Sequence, residues 1–72
     1  MTSEVIRRFV EASPFVPFRL HLAGGRRLEV PHPDFIHVFR RGPRAVLEAE
    51  DGNWQLVNLP IVLSVEVLTG EG

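Results

Sequence analysis

The chain has 72 residues, of which 44% are hydrophobic and 24% charged, with a formal net charge of −1 and no cysteine. This composition describes one small domain with an adequate apolar core, without a disulfide framework or a thiolate metal site. Near neutrality predicts no general attraction to nucleic acid, and no apolar run approaches the ~20 residues of a membrane span. No signal-peptide pattern opens the chain, so a cytoplasmic protein without a membrane partner is expected.

Ser3 to Ala12 reads as a short amphipathic helix. Val5, Ile6, Phe9 and Val10 form one apolar stripe, while Glu4–Arg8 and Arg7–Glu11 are i,i+4 pairs on the other face. Thr2 or Ser3 is placed to cap the start, and Pro14 ends the helix near Ala12. Ten residues are too few for an isolated helix, so the stripe must dock on a sheet or on another subunit.

Pro14-Phe15-Val16-Pro17-Phe18 is extended, because prolines on either side of an apolar pair disfavour helix. A hairpin follows. Phe18, Leu20 and Leu22 alternate with Arg19 and His21, and Leu28 and Val30 alternate with Arg27 and Glu29. A three-residue loop, Ala23-Gly24-Gly25, sets like opposite like: Phe18 with Val30, Arg19 with Glu29, and Leu20 with Leu28. Such loops need a left-handed residue in third place, which Gly25 supplies. Pro31-His32-Pro33-Asp34 then stops the strand and turns the chain, with Asp34 expected to cap local N–H groups.

Phe35 to Arg40 and Ala45 to Glu50 read as the next strands, joined by Arg41-Gly42-Pro43-Arg44. The expected register sets Val38 opposite Leu47, Ile36 opposite Ala49 and His37 opposite Glu48. Asp51-Gly52 reads as a two-residue hairpin turn that places Glu50 opposite Asn53, Ala49 opposite Trp54, Glu48 opposite Gln55 and Leu47 opposite Leu56. One face would then carry Ile36, Val38, Leu47, Ala49, Trp54 and Leu56. Phe39, Val46 and Val57 would form a second apolar row on the other face, in need of a cover. Leu59-Pro60-Ile61-Val62 breaks the alternation as a short helical turn would. Leu63 to Leu68 is a closing strand, and Gly70-Glu71-Gly72 a frayed tail. The fold class expected is mainly β (α+β): an N-terminal helix followed by a five-stranded antiparallel meander curled into a small barrel, all in one domain spanning 1–72.

The stretch from Pro14 to Phe35 resembles a family of short, uncharacterised bacterial proteins that begin with a helix. They share a PFxPF pattern, a glycine turn and a VxHP element, here Val30-Pro31-His32-Pro33, and end in an apolar strand with a glutamate, here Glu66. The resemblance covers most of the chain. It departs at Ala23-Gly24, where such proteins often carry an acidic residue before glycine, which bears on the turn type. It implies bacterial origin and kinship, and brings no activity or functional residues with it. The order of elements also resembles an Sm-like small β-barrel, a likeness of topology that confers no function.

All eight basic residues are arginine, which a GC-rich coding bias explains more simply than selection for bidentate anion contacts does. A meander would bring the first-hairpin loop and the loop between its third and fourth strands to one end, gathering Arg26, Arg27, Arg40, Arg41 and Arg44 as an anion- or nucleic-acid-binding site. Solvated loop tips collect such charges without any function. The opposite end would hold Asp34, Glu50 and Asp51 near His32. With no tyrosine, and with the aromatic residues assigned to the core, stacking platforms for single strands are not expected. His32, Asp34 and His37 lack a recognised ligand spacing and read as turn residues rather than a metal site. His37 beside Glu48 could orient a general base, but cross-strand pairs of this kind are common on surfaces. Ser3, Ser13 and Ser64 stand in no nucleophile context, and Gly24-Gly25 opens no helix.

No catalytic residue, cofactor, metal or small-molecule substrate is therefore assigned. The expectation is a non-enzymatic binding or assembly module that meets another protein, or itself, through sheet edges and the Phe39, Val46 and Val57 surface. RNA or DNA binding at the arginine end is the alternative.

Overall fold

The computed structural model describes residues 1–49 and 51–69. Helix α1 (Ser3–Val10) starts at Thr2, whose hydroxyl accepts the Val5 N–H at 3.3 Å. Glu4 in its first turn and Arg7 and Arg8 in its last complement the helix dipole. It ends two residues before the expected Ala12, and the Glu11 N–H closes the last turn on the Arg7 carbonyl at 2.8 Å. Ile6 is fully buried, and Phe9 and Val10 pack against the core, so the stripe docks on the chain's own sheets.

The hairpin forms as its alternation requires. Strands β1 (Phe18–Leu22) and β2 (Arg27–Val30) pair Phe18 with Val30, Arg19 with Glu29 and Leu20 with Leu28. The Leu22 N–H donates to the Arg26 carbonyl at 2.8 Å, closing a three-residue loop with Gly25 at φ +85°. The expected loop length and left-handed third residue both hold, and Gly24 in second place also takes positive φ, at +86°.

Beyond β2 the chain differs from a five-stranded meander. Among the described residues there are six strands in two three-stranded antiparallel sheets, which do not close into a barrel. Pro31 and Pro33 supply the reason. Neither has an N–H to continue a ladder, and a short 3-10 turn (Pro33–Phe35) intervenes before β3 (Ile36–Val38). Thus β2 stays with β1, while β3 pairs with β4 (Arg44–Glu48) and β4 with β5 (Trp54–Asn58). In the 3-10 turn it is His32, not Asp34, that caps: its Nδ1 accepts the Asp34 N–H at 3.1 Å. The expected helical turn at Leu59 is a second 3-10 turn (Leu59–Ile61). It delivers β6 (Val62–Val67) to the free side of β1, giving the order β2-β1-β6.

Both registers in the second sheet differ from expectation. Ile36 pairs with Leu47, His37 with Val46 and Val38 with Ala45, two residues from the expected alignment. The Phe39 N–H closes this hairpin on the Arg44 carbonyl at 3.0 Å, with Gly42 in the loop at φ +76°. A shift of two keeps the faces; the shift of one between β4 and β5 does not. Glu48 pairs with Trp54, Leu47 with Gln55, Val46 with Leu56 and Ala45 with Val57. The turn closes on Ala49 and Asn53, where the Ala49 N–H donates to the Asn53 carbonyl at 2.7 Å. Gly52 at φ +84° takes the place that Gly25 takes in the first hairpin. The expected Glu50 pairing and the tail at 70–72 lie outside the described residues.

The inner faces of the two sheets meet over α1 and the second 3-10 turn. Phe18, Leu20, Val30, Ala45, Leu47, Val57, Leu59, Val62 and Ile6 are buried there. Phe18 anchors this core, with the rings of Phe9 and Phe15 centred 5.5 and 5.9 Å away.

Candidate functional site

The altered register decides which side chains face solvent. Trp54 and Leu56 sit on the outer face of β3-β4-β5 with 61% and 60% of their surface exposed, although they were expected in the core. Val57, expected in an outer apolar row with Phe39 and Val46, is buried. In its place, Val46 lies between His37 and Leu56 across the outer face. The ring of His37 is centred 5.5 Å from that of half-buried Phe39. The apolar outer surface therefore runs from Phe39 through Val46 and Leu56 to Trp54. Strand β5 ends this sheet, and among the described residues no strand covers its outer edge.

The outer face of β2-β1-β6 is polar. Arg19 binds Glu29 at 2.7 Å and Glu66 at 3.0 Å, and Glu66 also meets His21 Nε2 at 2.8 Å. This row ties all three strands together. The His21 hydrogen bond, then that of Arg19, holds the Glu66 carboxyl below the usual glutamate range. The Glu29 hydrogen bond helps to raise the Arg19 guanidinium above its ordinary value.

The five arginines expected together share a backbone neighbourhood. The second 3-10 turn receives the Ala23 N–H on the Ile61 carbonyl at 2.8 Å and donates the Leu59 N–H to the Pro43 carbonyl at 2.7 Å, so both arginine-bearing loops lean on it. Their side chains go different ways. Arg26 donates to the Gln55 side chain. Arg27 borders a cavity of about 300 Å³ between the sheets, walled by Leu28, Phe35, Leu47 and Ala49 and edged by Glu48 and Gln55. Arg40 lines a separate groove beside α1. Arg44 lies over Gly42, and Arg41 is exposed.

Sequence reasoning missed Arg7. Its guanidinium, expected to pair with Glu11, instead donates to the Phe39 carbonyl at 3.1 Å, which brings it beside Arg40.

His32 contacts Asp34 at 3.5 Å, whereas His37 points from β3, opposite Val46 rather than Glu48. Among the described residues no three His, Asp or Glu side chains converge as metal ligands. Asp51 accepts the Asn53 N–H at 3.0 Å within its turn, and Glu50 lies outside the described residues. No described helix is long and apolar enough to cross a membrane. Comparison with protein-family models, curated proteins and solved structures finds no match to this chain.

Proposed function

We propose that this chain is a non-enzymatic binding or assembly module. It works through protein–protein contacts made by the outer face and free edge of β5. The observation that carries this reading is the pairing of two features on one strand. Trp54 and Leu56 are largely exposed, and the backbone beside them ends a sheet. An uncovered edge offers unpaired N–H and C=O groups to a further strand. Exposed tryptophan next to an aliphatic residue is the composition expected of an interface anchor. Leu63 and Val67 on β6, which ends the other sheet, are exposed as well. The order of elements, with a 3-10 turn delivering the last strand to the first, supports relating this open two-sheet fold to the Sm-like small barrels.

Light scattering coupled to size exclusion, run over a concentration series, tests the reading. Leu56 is exposed, so Leu56→Lys leaves the core intact while placing a charge on the contact surface. The native chain is expected to associate, and Leu56→Lys to remain monomeric with the melting temperature that the native chain shows at dilutions where it too is monomeric. A native chain that stays monomeric throughout, and that pairs with no partner through this face, removes the proposal.

A further inference from the structure

The groove between α1 and β3 has a volume of about 490 Å³ and is lined by Arg7, Val10, Glu11, Ile36, His37, Val38 and Arg40. Three of these side chains carry N–H donors, and they come from two elements distant in sequence. Arg7 reaches across from the helix and is fixed by its 3.1 Å bond to the Phe39 carbonyl, a contact spanning 32 residues. A guanidinium has five N–H donors, so this bond leaves most of them for the groove. Arg40 follows Phe39 directly and lines the same groove. The His37 ring is held against Phe39 at 5.5 Å between centroids. Among the described residues, neither Arg7 nor Arg40 has a carboxylate within salt-bridge distance. Arg41 and Arg44 continue the positive charge along the adjoining loop, and no Asp or Glu occurs from Phe35 through Leu47.

We infer that this groove binds the oxyanion of a phosphate group, with Arg7 and Arg40 as the forks and His37 as a third donor. Two guanidiniums and an imidazole offer more donors than the roughly four lone-pair sites of a single carboxylate can use. A phosphate presents three terminal oxygens and up to two charges, which suits donors arriving from several sides. Glu11 is the one carboxylate in the lining, and it acts against the anion. Trp54 and Leu56 do not line this groove, although His37 and Phe39 join it to the apolar outer surface; Arg7 and Arg40 take no part in the assembly reading.

Nuclear magnetic resonance of the intact chain tests the inference. Inorganic phosphate, a nucleoside 5′-monophosphate and a single-stranded oligonucleotide are titrated in turn, with acetate at matched ionic strength as the control. Saturable shifts are expected at the Arg7 and Arg40 Nε–H groups and at the His37 ring for the phosphate-bearing probes alone. Arg40→Gln is expected to weaken binding about tenfold, the loss typical of one hydrogen bond to a charged group. Glu11→Gln is expected to tighten it. Arg40 makes no described hydrogen bond within the protein, so its variant remains informative even if Arg7→Gln disturbs the fold. An oligonucleotide that binds far more tightly than the mononucleotide, with a steep salt dependence, identifies a nucleic-acid backbone as the source. A mononucleotide that binds as well as the oligonucleotide identifies a small phosphate ester. Equal shifts with acetate, or an Arg40→Gln affinity equal to the native value, overturn the inference.

Discussion

Glu66 shows how one residue can close a sheet. Its carboxylate receives Arg19 and His21 from β1, and Arg19 carries the link on to Glu29 in β2. The interaction lowers the Glu66 pKa in the fold. A carboxyl so depressed contributes stability that is complete above its unfolded pKa, and this contribution is lost as pH falls through the folded value. Acid should therefore loosen the native chain more steeply than a Glu66→Gln variant, whose amide does not titrate. Urea unfolding at a series of acidic pH values measures the difference, and parallel profiles for the two proteins would show that Glu66 plays no such part. Glu66 is exposed and its partners are only half-buried, so the effect is small and weakens with salt. Half of this row was legible in the sequence. Arg19 and Glu29 are brought opposite by a local hairpin, whereas Glu66 lies 47 residues from Arg19 and meets it only after the whole chain has folded.

At the scale of elements, turn length governs everything downstream. The two hairpins on either side of Gly25 and Gly52 share one device: a glycine at positive φ in third place of the loop. Space is open around both positions, so an alanine methyl would meet nothing within 4 Å. Gly52→Ala should thus destabilise through backbone conformation alone, by about 1 kcal/mol. Chemical denaturation checks this value, and a neutral substitution would mean that the turn relaxes to another type. The first hairpin was legible because alternation on both flanks admits one loop length. The second was not, because Ala49, Trp54, Leu56 and Val57 are all apolar and either face could be taken as the inner one. The Asp-Gly signal favoured a two-residue turn, and that single residue moved Trp54 and Leu56 from core to surface. The same local bias hid Arg7. An i,i+4 partner at Glu11 is visible in the sequence, while the Phe39 carbonyl it contacts is a product of tertiary packing.

At the scale of the molecule, two open sheets must behave as one cooperative unit, although the prolines between β2 and β3 have severed their ladder. The second 3-10 turn is the piece that joins them. Leu59 is fully buried in the common core, its N–H binds the loop between β3 and β4 through Pro43, and Ile61 two residues on receives the tip of the first hairpin at Ala23. A domain of this length has a total stability of roughly 4–11 kcal/mol, at about 0.05–0.15 kcal/mol per residue. Truncating a buried leucine typically costs about 2–5 kcal/mol. Leu59→Ala should consequently remove a large share of the whole, lowering the urea midpoint while leaving the slope unchanged. Native-state hydrogen exchange distinguishes this from local damage. If the turn couples the sheets, amides in β1 and β4 lose protection by the same free energy in the variant, because both exchange only through global opening. Protection lost in β4 but retained in β1 would show instead that each sheet opens separately, and that the polar row through Glu66 suffices to hold the first without the second.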